Sequence, residues 1–87
     1  MIVIKKKGSV GFMLNKLLYM INDINENKGS SLVTEINEKT SLKDDLQFDS
    51  FDLALLTAKI EDEFDVDVFE DGIVNTVGEI IFKLENK

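Results

Sequence analysis

The sequence predicts an all-α fold: a small antiparallel bundle of three main helices plus one short helix, with a long loop between the first and second helices. Three observations carry this. Apolar residues recur at helical spacing in three separate segments. Proline is absent from all 87 residues, which suits a mostly helical domain. Helix-start chemistry stands before two of the segments, Asp49 ahead of the second and Thr76 ahead of the third.

Residues 1–8 read as a short arm, and residues 9–87 as a single domain. Val10, Leu14, Leu17, Leu18, Ile21 and Ile24 mark one helical stripe over about 9–26, with Ser9 as its cap. Residues 25–31, which contain Lys28-Gly29-Ser30, break that helix. A long connection follows, and its spaced apolar residues Ile36, Leu42 and Leu46 are expected to pin it to the core. The second helix is predicted from Ser50 to about Phe64. Asp49 is its N-cap, and Asp52 puts a further negative charge in the first turn, where the helix dipole favours it. Val66-Asp67-Val68 alternates but is too short for a strand. Residues 69–74 suggest a short helical turn limited by Gly72. Thr76-Val77-Gly78-Glu79 has the T-x-x-E form of a capping box, and Val77, Ile80, Ile81 and Leu84 give the last helix its apolar face.

Composition removes several classes of function. With no Cys and no His, the chain offers no Cys/His metal site, no thiol nucleophile and no histidine base. The net charge of −7 is uneven: residues 1–43 carry about +3 and residues 44–87 about −10. An acidic half argues against nucleic acid and anionic membrane, and for a basic protein surface as partner. Lys5-Lys6-Lys7 followed by an apolar stretch loosely imitates a signal peptide, but Asn15 and Lys16 interrupt it and no small-residue cleavage site follows. No run approaches bilayer length, so a soluble cytoplasmic monomer without membrane insertion is expected.

The second helix has two apolar faces. Stepping 100° per residue places Leu53, Leu56, Ile60 and Phe64 together, and Phe51, Ala54, Leu55 and Ala58 on roughly the other side. The first set is expected to fill the core; the alternative is that it lines a space between helices. Leu55 and Ala58 are expected to be exposed; for Phe51, beside the loop, both placements stay open. An exposed apolar stripe beside acids is the makeup of a protein-binding helix.

Ser50 stands at the mouth of this helix, directly after Asp49 and two residues before Asp52, with no base nearby to activate it. That pattern points to a serine offered to another protein for modification. The bland reading is that Asp49 and Ser50 only cap a helix.

The stretch Leu46-Gln47-Phe48-Asp49-Ser50-Phe51 resembles the attachment motif of the acyl carrier protein family, which includes carrier domains of polyketide and peptide synthetases. Ile60-Glu61-Asp62-Glu63-Phe64, Val66-Asp67-Val68 and Thr76-Val77-Gly78-Glu79 resemble later family segments, in order, so the likeness spans roughly residues 10–85. It implies that Ser50 carries 4′-phosphopantetheine, attached by a magnesium-dependent phosphopantetheinyl transferase from coenzyme A. The chain would then be no enzyme but a carrier of acyl groups as thioesters, for fatty acid, polyketide or specialised biosynthesis, the arm supplying the sulfur the chain lacks. Its partners would be that transferase, an acyl- or aminoacyl-loading ligase, and downstream synthases or transferases with basic surfaces. Asp49 would cap the helix and help present Ser50; Asp49, Phe51, Asp52, Leu55, Ala58 and Asp62 would form the docking surface. Gln47 departs from the family's usual Gly, Phe51 from its usual Leu, and Leu55 from the acid usual in fatty-acid carriers.

Three other readings compete. An aminoacyl or peptidyl carrier would use the same serine. An acidic helical adaptor would leave Ser50 unmodified and tolerate its loss. Calcium binding by the acids from Asp65 to Asp71 fails on spacing, because Phe69 stands at the third ligand position and the glycine at position six is missing. For an enzyme, the inventory is little more than carboxylates and Tyr19, in a helix assigned to the bundle.

Overall fold

The computed structural model describes residues 6–70, 72 and 74–85. Among these the chain forms three helices: α1 (Lys6–Asn27), α2 (Ser50–Phe64) and α3 (Val77–Glu85). The fold is an all-helical three-helix bundle in which α1 packs against both α2 and α3. The only pairing of extended backbone among the described residues is an isolated bridge between Ser41 and Thr76.

Each helix turns part of its predicted apolar stripe inward; in α1 Leu14 packs against the core partly buried, Leu18 is half-buried outside it, and the Val10 side chain lies outside the described residues. Leu17, Ile21 and Ile24 of α1, Leu56 and Ile60 of α2, and Val77, Ile80, Ile81 and Leu84 of α3 are all buried in one cluster. Burying a side chain of this size stabilises by about 1.5–3 kcal/mol, so these residues outweigh any surface interaction. Leu53 and Phe64 pack against the cluster but are only partly buried. Two ion pairs cross from α1 to α2, Lys16–Glu63 at 2.8 Å and Lys59–Asp23 at 2.5 Å. Both are about one-third or more exposed, which limits each to under about 1 kcal/mol.

Helix α1 begins at Lys6 and not near residue 9, so Ser9 lies within the helix and is not its cap. The arm expected over 1–8 falls mostly outside the described residues; residues 6–8 are helical. Ser30 N–H and Lys28 N–H fold back onto the carbonyls of Asn25 and Ile24, and Gly29 takes φ +76, the left-handed turn that ends a helix.

The long connection, residues 28–49, is held at both ends. The Asn22 amide donates to the Val33 carbonyl at 2.8 Å and accepts the Val33 N–H at 2.7 Å, tying the loop to α1. Leu42 and Leu46 are buried, as the spacing predicts, and Ile36 is half-buried. Further along, loop carbonyls reach the start of α3: Thr40 accepts from Val77 N–H at 3.0 Å and Glu38 from Gly78 N–H at 2.9 Å. A Cβ on Gly78 would lie 2.7 Å from the Glu38 oxygen. Glycine is what allows the loop to lie this close.

Helix α2 ends at Asp65, which adopts the left-handed conformation and bonds its N–H to the Glu61 carbonyl. Beyond it, where the sequence suggests a short helix over 69–74, the described residues form two successive turns, Glu70 N–H to Asp67 O and Gly72 N–H to Phe69 O. Asp71 and Ile73 lie outside the described residues. Val68 and Val74 flank these turns and are buried, which fastens the segment to the core without a helix.

Candidate functional site: the N-terminus of α2

The approach to Ser50 alternates. Leu46 and Phe48 are buried while Gln47 and Asp49 are exposed, so the segment is pinned to the core by every second side chain. Phe48 N–H bonds the Leu42 carbonyl at 2.9 Å. Gln47 has φ +58, a left-handed conformation that glycine adopts without strain. The turn before the serine therefore keeps the form a glycine would take, with a glutamine in it. Asp49 is itself extended, at φ −97 and ψ −173, and is the N-cap.

The first turn of α2 is closed by a capping box. Asp49 Oδ1 accepts the Asp52 N–H at 2.9 Å, and Asp52 Oδ2 accepts the Asp49 N–H at 3.2 Å. Lys28 Nζ donates to the same Asp52 oxygen at 2.5 Å and lies 5.5 Å from the centroid of the Phe48 ring. Asp52 is only 4% exposed. Burial pushes its carboxyl up, but the bonds from Lys28 and the Asp49 N–H and the charge of Lys28 outweigh this and hold it below its ordinary value.

This placement corrects one docking residue. Asp52 does not belong to an outward surface; its carboxylate is turned inward to cap the helix and pair with Lys28. The others do face outward. Phe51 is 70% exposed, Leu55 38%, and Asp49, Ala58 and Asp62 are exposed as well. Phe51, Leu55, Ala58 and Asp62 recur at helical spacing on one face, so the open placement of Phe51 is decided for exposure. The opposite face supplies Leu56 and Ile60 to the core.

Ser50 is the first residue of α2 and is exposed. No side chain among the described residues hydrogen-bonds its hydroxyl. With the Asp52 and Leu53 N–H groups taken by Asp49, the N–H groups of Ser50 and Phe51 have no intrahelical acceptor. Next to Ser50 lies a groove of ≈ 380 Å³, lined by Leu42, Phe48, Leu53, Ala54, Phe69 and Val74 together with Lys43, Asp49 and Asn75. Of the side chains expected to frame a space between helices, it includes only Leu53; Leu56 and Ile60 are packed in the core.

Tyr19, assigned to the bundle helix, is on α1 but 76% exposed. Among the described residues no group of three or more acidic side chains is placed to hold a metal ion, and no helix is long and apolar enough to cross a membrane. The sequence matches no family model, and no solved structure gives a significant match.

Two features of the site were missed in the sequence. The Asp49-x-x-Asp52 capping box has the spacing of Thr76-x-x-Glu79 but Asp at both positions, so the T-x-x-E form does not find it. The Lys28 contact carries no local signal, because its partner lies 24 positions away.

Proposed function

We propose that the chain is a carrier protein of the acyl-carrier type and that Ser50 is the attachment site of 4′-phosphopantetheine. The observation that carries this is the exposed Ser50 hydroxyl at the first position of α2, beside helix N–H groups without intrahelical acceptors. A phosphodiester there meets the positive end of the helix dipole. When attached, the group supplies a thiol for thioester linkage, which the chain itself lacks. The residues present fit such an arm: Ser50 offers the oxygen, Asp49 holds the helix start, and the apolar groove adjoins both.

The chain is not itself an enzyme on this reading. The Phe51, Leu55, Ala58 and Asp62 face supports docking of a transferase, a loading ligase and a downstream synthase, with acidic neighbours favouring basic partner surfaces. The apolar lining of the groove favours an acyl over an aminoacyl cargo. The 70% exposure of Phe51 also supports a second reading, an adaptor that binds through this face with Ser50 unmodified.

Incubation with coenzyme A, magnesium and a broad-specificity phosphopantetheinyl transferase, followed by intact mass, separates the two. The carrier gains one phosphopantetheine, and Ser50→Ala gains none. A folded protein that gains no mass beside an active control carrier favours the adaptor.

A further inference from the structure

We propose that Lys28 is a positioning residue for Ser50, acting through Asp52 to hold the first turn of α2 in place. Its effect on modification rests on the carrier reading; its effect on the helix start does not.

The argument begins with where Lys28 is anchored. It follows the last residue of α1, and its N–H is bonded to the Ile24 carbonyl at 3.1 Å. Its base therefore moves with α1. Its ammonium group lies by the Phe48 ring and ends 2.5 Å from Asp52 Oδ2. Three parts of the chain thus meet at one cation: the end of α1, the segment before Ser50 and the first turn of α2.

Asp52 makes this contact matter. Its Oδ2 also accepts the Asp49 N–H, while Asp49 accepts the Asp52 N–H. Asp52 is buried at 4% exposure, and Lys28 is the only cation among the described residues that acts on its carboxylate. Lys16 and Lys59 are engaged elsewhere, with Glu63 and Asp23. Without Lys28, a buried anion is left without its counter-charge. It must then take up a proton or turn out to water. Turning out breaks the reciprocal bond to the Asp49 N–H and frees the turn that bears Ser50. The rest of the α1–α2 contact, built from the apolar core and the other two ion pairs, does not pass through this point.

The test compares Lys28→Met, Lys28→Arg, Asp52→Asn and the Lys28→Met/Asp52→Asn double variant in the full chain. Two readouts are taken: KM and kcat for phosphopantetheinylation with coenzyme A, and hydrogen exchange of individual amides. Lys28→Met is expected to raise KM about tenfold with kcat nearly unchanged, because fewer chains present an ordered helix start. Exchange at Leu53 and Ala54 should quicken about tenfold while that at Ile81 and Leu84 in α3 stays within twofold. Lys28→Arg should restore both. On the Asp52→Asn background, Lys28→Met should add less than about twofold, because the charge it answers is gone.

Unchanged KM and unchanged α2 exchange in Lys28→Met would overturn the proposal. So would equal loss of protection in α2 and α3, which means general destabilisation, or failure of Lys28→Arg to rescue. If the wild-type chain is not modified at all, the carrier reading fails, and amide exchange still decides whether Lys28 positions the helix start.

Discussion

The starts of α2 and α3 solve the same problem in opposite ways. A helix begins with four N–H groups that have no partner within it. In α3 the first three are bonded outside the regular helical ladder, Val77 to the Thr40 carbonyl, Gly78 to the Glu38 carbonyl and Glu79 to Thr76 Oγ1, and Ile80 then makes the first regular helical bond, to the Thr76 carbonyl. The Glu79 side chain reaches back one residue further than a standard capping box, to the Asn75 N–H at 2.6 Å. In α2, Asp49 satisfies the Asp52 and Leu53 N–H groups, and the first two remain open beside an exposed Ser50. One helix start is woven into the loop; the other is closed by its own side chains and left accessible. The difference is that α3 has used its N-terminal N–H groups for folding, while α2 keeps the first two of its own without intrahelical acceptors.

Gly78→Ala should break the α3 arrangement most severely. Helix propensity alone favours alanine by about 1 kcal/mol. Against that stand a Cβ 2.7 Å from the Glu38 oxygen, costing about 1–3 kcal/mol, and a weakened backbone hydrogen bond of about 1 kcal/mol. A net loss near 2 kcal/mol is expected in urea denaturation. A gain in stability would mean that the loop does not cap α3.

Asp52→Asn probes the α2 cap, with an expected cost of about 1.5 kcal/mol at pH 6. The sign of its pH dependence follows from the lowered value of Asp52. A carboxyl held below its ordinary value near 3.8 contributes stability that is present above that value and lost as pH falls through the lower one. The advantage of wild type over Asp52→Asn should therefore hold from pH 7 to about 4 and shrink below it. A gap between the two that widens below pH 4 would contradict the buried ion pair.

Gln47→Gly tests the turn ahead of Ser50. The left-handed backbone favours glycine, while the unfolded chain loses less entropy with glutamine. The balance should be a change between zero and a gain of about 1 kcal/mol, measured as the shift in denaturation midpoint. A loss well above about 1 kcal/mol would mean that the Gln47 side chain contributes to packing.

Leu55→Glu should have the smallest effect on folding, within about 0.5 kcal/mol, because the residue lies on the outward face of α2. If that face docks partners, the same change weakens transferase or synthase binding. Destabilisation above about 1 kcal/mol would place Leu55 in the core.

The sequence by itself determined what is local. Helical spacing of Leu17, Ile21 and Ile24, of Leu56 and Ile60, and of Val77, Ile80, Ile81 and Leu84 marked the three helices and their inward faces, because neighbours three and four apart share a face whatever surrounds them. Asp49 marked the start of α2 and placed Ser50 at its first position. Tertiary structure decided what depends on residues far apart in the chain. It turned Asp52 inward by bringing Lys28 to it, buried Phe48 under that contact, and left Phe51 exposed. It also drew the carbonyls of Glu38 and Thr40 to the start of α3 and made turns of the segment after α2. None of these pairings has a period to read, since each is set by which surfaces the three helices leave uncovered once they have packed.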